Sequence, residues 1–168
     1  VLDNVLLVVP DGLREQARAR AVELLRAMEL GDVLDAYPGR LSGGMMRRVA
    51  LARAFVNEPA LLLMDEPFVS LDSPTANRLR AMLVAQWQRC QASVLFVTHD
   101  LREALALADR ICFLSPSPGR VVLEYTVDLP RPRDPSGAQL EQLHAQLLAR
   151  HPELLAGLPA LRAEAAHD

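Results

Sequence analysis

Two adjacent carboxylates, Asp65 and Glu66, follow the apolar run Leu61–Met64. An uninterrupted apolar run of this length predicts a β-strand buried on both faces, as in a parallel sheet. The acids would then lie at the carboxyl end of the strand, where open α/β sheets bind their ligands. Such a pair suits phosphoryl transfer, in which one carboxylate serves Mg²⁺ and its neighbour deprotonates an attacking water. The alternative is a strand end whose acids only start the turn at Pro67.

A serine and two glycines, Ser42, Gly43 and Gly44, open a predicted helix that runs to about Val56. Ser42 can cap this helix, and the glycines allow backbone N–H groups to approach an anion closely. The helix dipole would add to the attraction. Taken alone, the three residues are more typical of an ordinary capped helix with a flexible entrance.

A histidine, His99, follows the next predicted buried strand, Ser93–Thr98. At a strand end its ring could hydrogen-bond a terminal phosphate together with the attacking water. A lone histidine in such a place is more often a structural hydrogen-bonding group, so His99 does not define a site by itself.

The elements that would position these residues alternate between helix and strand. Apolar residues recur at three- and four-residue spacing between residues 14 and 30, which predicts an amphipathic helix ending near Gly31. After a loop at 35–40 and the helix that Ser42 opens, helices are predicted at about 72–90, 101–108 and 140–148, and strands at 110–114 and 121–127. This order predicts an α/β domain on a mainly parallel sheet, with a separate helical lobe before it.

The composition fits one globular domain. The 168 residues are 51% hydrophobic and 23% charged, and their net charge of −3 does not favour nucleic-acid binding. No apolar run approaches the ~20 residues of a membrane-spanning helix, and Cys90 and Cys112 are expected to be reduced, buried thiols. The sequence begins without methionine, inside an apolar segment, as a fragment would. All 18 basic residues are arginine.

The motifs become specific when they are taken in order. They follow the succession of the signature (Leu41–Met45), Walker B strand (Leu61–Glu66), D-loop (Ser70–Asp72) and switch histidine (His99) of ABC transporter ATPases. The stretch LSGGMMRRVALARAFVNEPALLLMDEPFVSLD is highly specific as a unit. Residues 1 to about 135 therefore resemble the nucleotide-binding subunit of an ABC transporter, and the C-terminal helix is the variable part.

This resemblance implies an ATP site shared by two subunits that pair head to tail. Ser42, Gly43 and Gly44 would contact the γ-phosphate of a nucleotide held by the other subunit, and Asp72 would link the two half-sites across the dimer. The basic pair at 47–48 is then expected on a solvated or interface-facing helix surface rather than in a nucleic-acid patch.

The resemblance assigns the chemistry within one subunit to three further residues. Asp65 would serve Mg²⁺ through water, Glu66 would be the general base, and His99 would sense the γ-phosphate. The implied cofactors are ATP and Mg²⁺.

The sequence departs from the family pattern at two points. Met45 stands where glutamine is the commonest residue, although some importer-like members carry LSGGM. More importantly, the Walker A loop, G-x-x-x-x-G-K-[ST], requires a lysine to reach the phosphates, and this sequence has none. We therefore expect a partial P-loop NTPase fold that lacks the N-terminal strands and the Walker A loop, in a chain that is inactive alone.

Three parts are expected along the chain. Residues 1–41 would belong to the helical signature subdomain, 42–130 would form the catalytic core, and 131–168 would be a linker and C-terminal helical extension. An alanine-rich tail of weak structure is expected after Pro159. The turn SPSPGRVV and the linker VDLPRPRD resemble the ATPase subunits of nitrate, sulfonate and taurine-type importers.

This second resemblance implies the ATPase subunit of an importer for small oxyanions, at the cytoplasmic face of the inner (plasma) membrane. Its partners would be transmembrane permease subunits, a second ATPase subunit and, indirectly, a periplasmic solute-binding protein, with no nucleic acid. The alternative is a non-catalytic interaction module that lends its signature face to a complete ATPase. Relatives that act in DNA repair or on ribosomes usually need long coiled coils or a second ATPase domain, neither of which the sequence contains.

Overall fold

A computed structural model of the protein describes residues 1–90 and 92–152. The chain forms two compact units, Val1–Val97 and a second that begins at Thr98. The alanine-rich tail predicted after Pro159 lies outside the described residues. The α/β class predicted from the sequence is confirmed, since strands and helices alternate from the strand Leu61–Asp65 to the strand Arg110–Leu114.

The first unit begins with a helical lobe. Its helices are α1 (Leu2–Leu6), α2 (Arg14–Ala27) and α3 (Gly43–Phe55), linked by 3-10 turns at Asp11–Leu13, Gly31–Val33 and Pro38–Arg40. The apolar positions that predict α2 are all buried in the core of the lobe. Its innermost side chains are at most 1% exposed: Val5, Leu25, Met28, Leu30, Phe55 and Val56. The short helix α1 was not predicted from the sequence.

The C-terminal end of α2 is a Schellman motif. Leu30 N–H donates to the carbonyl of Leu25 at 2.8 Å, and Glu29 N–H donates to the carbonyl of Arg26 at 2.9 Å. Glu29 has a φ of 56°, a left-handed conformation that glycine usually supplies at this position. The helix therefore ends before Gly31, the residue predicted to stop it.

A β–α–β unit follows the lobe. It consists of β1 (Leu61–Asp65), α4 (Ser73–Cys90) and β2 (Ser93–Val97). The strands pair in parallel, from Leu61 opposite Ser93 to Asp65 opposite Val97. Near the end of α4, Trp87 Nε1–H donates to the carbonyl of Ala92 at 2.8 Å and so ties the helix to the start of β2.

One face of the β1–β2 sheet is buried and the other is open to solvent. Leu62 is 6% exposed, whereas Leu61, Leu63 and Leu95 are 56%, 67% and 60% exposed. Because side chains alternate along a strand, residues 61 and 63 point away from the face that buries Leu62. The prediction that these strands are buried on both faces is therefore wrong.

The second unit contains α5 (Leu101–Leu107), β3 (Arg110–Leu114), β4 (Val121–Thr126) and α6 (Ala138–Arg150). Strands β3 and β4 pair antiparallel, in a sheet separate from β1–β2 among the described residues. The predicted mainly parallel sheet is thus confirmed only for β1 and β2. The core of this unit is formed by apolar residues of its helices and strands: Ala104, Leu105, Ala106, Ile111, Val127, Leu140 and Leu147.

An arginine of the linker caps the C-terminal end of α5. Arg133 donates to the carbonyls of Leu105 at 3.0 Å and Ala108 at 2.5 Å, and also to those of Val127 and Leu129. The last carbonyls of a helix receive no hydrogen bond from within the helix. The guanidinium of Arg133 donates to them, and its positive charge complements the helix dipole.

Candidate functional site

Both predicted catalytic carboxylates lie at the carboxyl end of a parallel strand. Asp65 is the exposed last residue of β1. Glu66 N–H donates to the carbonyl of Val97 at 2.9 Å, which extends the strand pairing by one residue. Glu66 then adopts a φ of 47°, so the chain turns out of the sheet at the carboxylate itself. Residues held in this sparsely populated region are concentrated at functional sites.

The loop between these acids and α4 is anchored by an aromatic residue. Phe68 is 6% exposed, and its ring centroid lies 5.9 Å from that of Phe96 in β2. The guanidinium carbon of Arg80, in α4, lies 5.2 Å from the same ring centroid, a cation–π contact. Phe68 could not be predicted from the sequence, because a single aromatic residue in a loop gives no periodic signal.

Ser42 is the N-cap of α3, as its place before the glycines predicts. Its Oγ accepts a hydrogen bond from Met45 N–H at 3.2 Å. Ser42 and Gly43 are exposed. A Cβ atom added to Gly43 would meet nothing within 4 Å, so packing among the described residues does not require glycine there.

Gly44 brings the start of α3 against the start of α4. A Cβ atom at Gly44 would lie 3.1 Å from Cγ2 of Thr75, closer than an ordinary contact. Asp72 caps α4, and its Oδ1 accepts from Thr75 N–H at 3.0 Å. These hydrogen bonds from Thr75 hold the pKa of Asp72 below its usual value. The structure thus brings the predicted signature residues and the predicted D-loop aspartate together in one unit.

His99 belongs to the second unit, in a turn that hydrogen bonds fix on both sides. Asp100 caps α5, with its Oδ1 accepting from Arg102 N–H at 2.9 Å. Asp100 N–H donates to Thr98 Oγ1 at 3.1 Å, and that hydroxyl donates to Oε2 of Glu103, a 5% exposed carboxylate, at 2.7 Å. This support was not predicted, although the sequence carries a signal for the helix start, an N-cap aspartate followed three residues later by glutamate.

The two arginines beside the predicted signature differ. Arg47 is exposed, in agreement with a solvated helix surface. The side chain of Arg48 is only 21% exposed and donates to the carbonyl of Met28 at 3.1 Å and to Oε2 of Glu29 at 3.0 Å. The prediction of a solvated or interface-facing surface is therefore wrong for Arg48, because this residue is bonded within its own unit.

The carboxylates at the end of β1 suit one kind of metal ion. In residues 1–90 and 92–152, no group of three or more His, Cys, Asp or Glu side chains could hold a metal ion. An exposed carboxylate with a second one beside it fits an ion that takes most of its ligands from water and substrate phosphates, as Mg²⁺ does. None of the described helices combines the length and apolar character needed to span a membrane.

Comparison with known proteins finds similarity to one family. The family model described as ABC transporter matches residues 1–69. The aliphatic sulfonates import ATP-binding protein SsuB of Granulibacter bethesdensis is 46% identical over 145 residues, which are 86% of this chain and 59% of that protein. The chain is thus similar to proteins of the ABC transporter family.

Other relatives of this chain carry similar names. SsuB of Yersinia pestis bv. Antiqua is 43% identical over 150 residues, 89% of the chain and 53% of that protein. The aliphatic sulfonates import ATP-binding protein SsuB 2 of Pseudomonas aeruginosa is 43% identical over 157 residues, 92% of the chain and 55% of that protein. The chain thus spans 53–59% of the length of these curated relatives.

Proposed function

We propose that this chain acts in an ATP-binding and ATP-hydrolysing subunit of an ABC importer, where it supplies the signature face and the hydrolytic carboxylates. The observation that carries the proposal is the position of Asp65 and Glu66, two neighbouring carboxylates at the carboxyl end of a parallel strand. The match of residues 1–69 to the ABC transporter model supports the same conclusion, because the resemblance implies that ATP lies at this strand end.

The two carboxylates have different roles in this proposal. Asp65, exposed at the end of β1, would hold Mg²⁺, and a bound ion would neutralise charge on the phosphates. Glu66 orients the attacking water and accepts its proton, a contribution worth about 10²–10⁴ in rate. The turn at Glu66 directs the chain out of the sheet, so this carboxylate can reach a ligand beyond the strand end.

The signature residues act on a nucleotide held by a second ATPase subunit. Helix geometry leaves the N–H groups of Gly43 and Gly44 without intrahelical acceptors, and the helix dipole favours an anion there. Ser42 Oγ accepts from Met45 N–H, which leaves its hydroxyl hydrogen for a phosphate oxygen. Asp72, beside them at the start of α4, links the two half-sites of the dimer, and His99 senses the γ-phosphate within one subunit.

The names of the relatives suggest the cargo. Because the similar proteins are aliphatic sulfonate importers, we propose a sulfonate-type oxyanion rather than nitrate, with taurine, itself a sulfonate, in the same class. The partners are then permease subunits, a second ATPase subunit and indirectly a solute-binding protein, at the cytoplasmic face of the membrane. The division into residues 1–41, 42–130 and 131–168 stays a prediction about function and does not follow the boundary of the compact units at Val97.

Replacement of the proposed base tests this function. In the ATPase subunit that contains these residues, Glu66→Gln should abolish turnover and leave ATP-driven dimerisation intact, because the change removes the basic oxygen but keeps the shape. Glu58→Gln is the matched control, since Glu58 is also a glutamate of the first unit with positive φ, 48° against 47°. Phosphate release and sedimentation would be measured for both variants, and normal turnover in Glu66→Gln would reject the general-base role.

The second candidate function is a non-catalytic interaction module. The sequence contains no lysine, and therefore no residue for the usual phosphate-binding loop. On this view the 168-residue chain shows no measurable ATP binding at millimolar nucleotide, yet its signature face pairs with a complete ATPase. Equilibrium dialysis of the chain with ATP tests this candidate, because tight binding by the chain alone would reject the module.

A further inference from the structure

One carboxylate of the first unit joins three helical elements. Glu29, two residues after the end of α2, accepts a hydrogen bond from Nη1 of Arg48 in α3 at 3.0 Å. It also accepts from Nε and Nη2 of Arg78 in α4 at 3.0 and 2.6 Å. Arg48 donates in addition to the carbonyl of Met28, so α3 is tied to the end of α2 by side chain and backbone together. We call Glu29, Arg48 and Arg78 the Glu29 clamp.

The backbone at Glu29 shows that local structure does not favour a glutamate there. Its φ of 56° places it at the left-handed position of a Schellman motif, where glycine is free of strain and a side chain is not. The hydrogen bonds of the carboxylate with two arginines offset this strain. Glycine would end the helix with less strain at this position. The glutamate is therefore explained by its tertiary contacts with the two arginines.

The clamp is a second link between α3 and α4. The first is the close approach of Gly44 to Thr75. Arg48 lies four residues after Gly44 on α3, and Arg78 lies three residues after Thr75 on α4, so each helix advances by about one turn between the contacts. A contact at Gly44 alone would resist rotation of the helices about that point only weakly, and the clamp adds a restraint about one turn away.

We propose that Glu29 is a positioning residue for the ATP site between subunits: through Arg48 and Arg78 it holds the signature start at Ser42–Gly44 in a fixed place relative to Asp72. The proposal rests on the function proposed above, in which these two segments meet the partner subunit and its nucleotide. Displacement of α3 relative to α4 would move the Ser42 hydroxyl and the glycine N–H groups away from the phosphate without removing any of them.

Glycine substitutions separate positioning from stability. Glu29→Gly removes the carboxylate and relieves the backbone strain, so the folded state should be about as stable as wild type. Glu58→Gly is the matched control, because Glu58 has a φ of 48° and pairs with Arg20 at 2.7 Å, in the same unit but away from α4. The first measurement is amide hydrogen exchange at Met45 and Thr75, the two N–H groups that Ser42 and Asp72 cap.

We expect exchange at both amides to accelerate about three- to fivefold in Glu29→Gly, the scale of one exposed ion pair, and to stay unchanged in Glu58→Gly. Arg78→Met should repeat the effect of Glu29→Gly. In the ATPase subunit that contains these residues, Glu29→Gly should lower kcat about threefold and leave KM for ATP unchanged, because a different subunit holds the nucleotide.

Equal exchange rates in Glu29→Gly and Glu58→Gly would overturn the proposal, and so would faster exchange with an unaltered kcat. If Ser42→Ala left the turnover of the ATPase subunit unchanged, the proposed ATP site between subunits would itself be rejected. In that case the exchange rates alone would decide whether Glu29 holds α3 to α4, so the two failures are distinguishable.

Discussion

The helical lobe and the β1–β2 sheet of the first unit bury their apolar residues to very different degrees. Val5, Leu25 and Leu30 in the lobe are fully buried, whereas Leu63 and Leu95 in the sheet are more than half exposed. Because burial of apolar surface stabilises a fold by about 25 cal/mol per Å², the lobe should contribute most of the stability of this unit. The sheet carries the proposed catalytic acids but leaves one apolar face open, which is an aggregation hazard. Stability and chemistry thus reside in different parts of the unit.

The largest expected effect is the loss of a core side chain from the lobe. Phe55→Ala should lower the free energy of unfolding by about 3–5 kcal/mol, because Phe55 is 1% exposed and its removal leaves a cavity. Met46→Ala, in the same helix at 49% exposure, is the control and should cost less than about 1 kcal/mol. Denaturant titration of both variants measures the difference. Equal losses of unfolding free energy in the two variants would show that Phe55 is not packed in a core of the lobe.

The next largest effect is a difference in stability between substitutions at two adjacent positions on β1. Leu62→Ala should cost about 2–3 kcal/mol, and Leu63→Ala less than about 1 kcal/mol, because Leu62 is 6% exposed and Leu63 is 67% exposed. The same titration applies. Comparable losses at the two positions would mean that the open face is covered in solution, for instance by self-association, which sedimentation would detect.

A smaller effect is expected from the helix cap at the signature. Ser42→Ala should lower stability by about 1 kcal/mol, since Ser42 Oγ accepts from Met45 N–H. Ser73→Ala is the control, because Ser73 lies one position inside α4 and the cap of that helix is Asp72. Thermal unfolding followed by circular dichroism would compare them. A Ser42→Ala variant as stable as Ser73→Ala would indicate that the cap is not formed in solution.

The smallest effect is a pH dependence at the start of α4. The pKa of Asp72 is held below its usual value by the hydrogen bonds from Thr75, so the ionised carboxylate stabilises the fold above about pH 3.8. That contribution is lost as the pH falls from this value through the lower pKa of the folded state. Asp72→Asn should therefore show a smaller loss of melting temperature between pH 5 and pH 2.5 than wild type. An equal loss of melting temperature in wild type and Asp72→Asn would show that Asp72 does not cause the acid destabilisation.

Local signals explain what could be predicted from the sequence. Ser42 followed by glycines specified the start of α3, and the three- and four-residue spacing specified α2. Burial of β1 on its second face was predicted wrongly, because an apolar run does not show whether another element covers that face. The Glu29 clamp could not be predicted, since its arginines lie 19 and 49 residues away and the left-handed backbone at Glu29 has no sequence signal of its own.

The link between Trp87 and Ala92 has a practical consequence. Trp87 is the only tryptophan in the sequence, and its indole is half-buried between the end of α4 and the start of β2. Its emission wavelength therefore reports on the β–α–β part of the first unit, whereas tyrosine signals also include Tyr125 of β4 in the second. Comparison of the indole emission with the tyrosine signal during heating of a single sample would reveal whether the two units melt together or in succession.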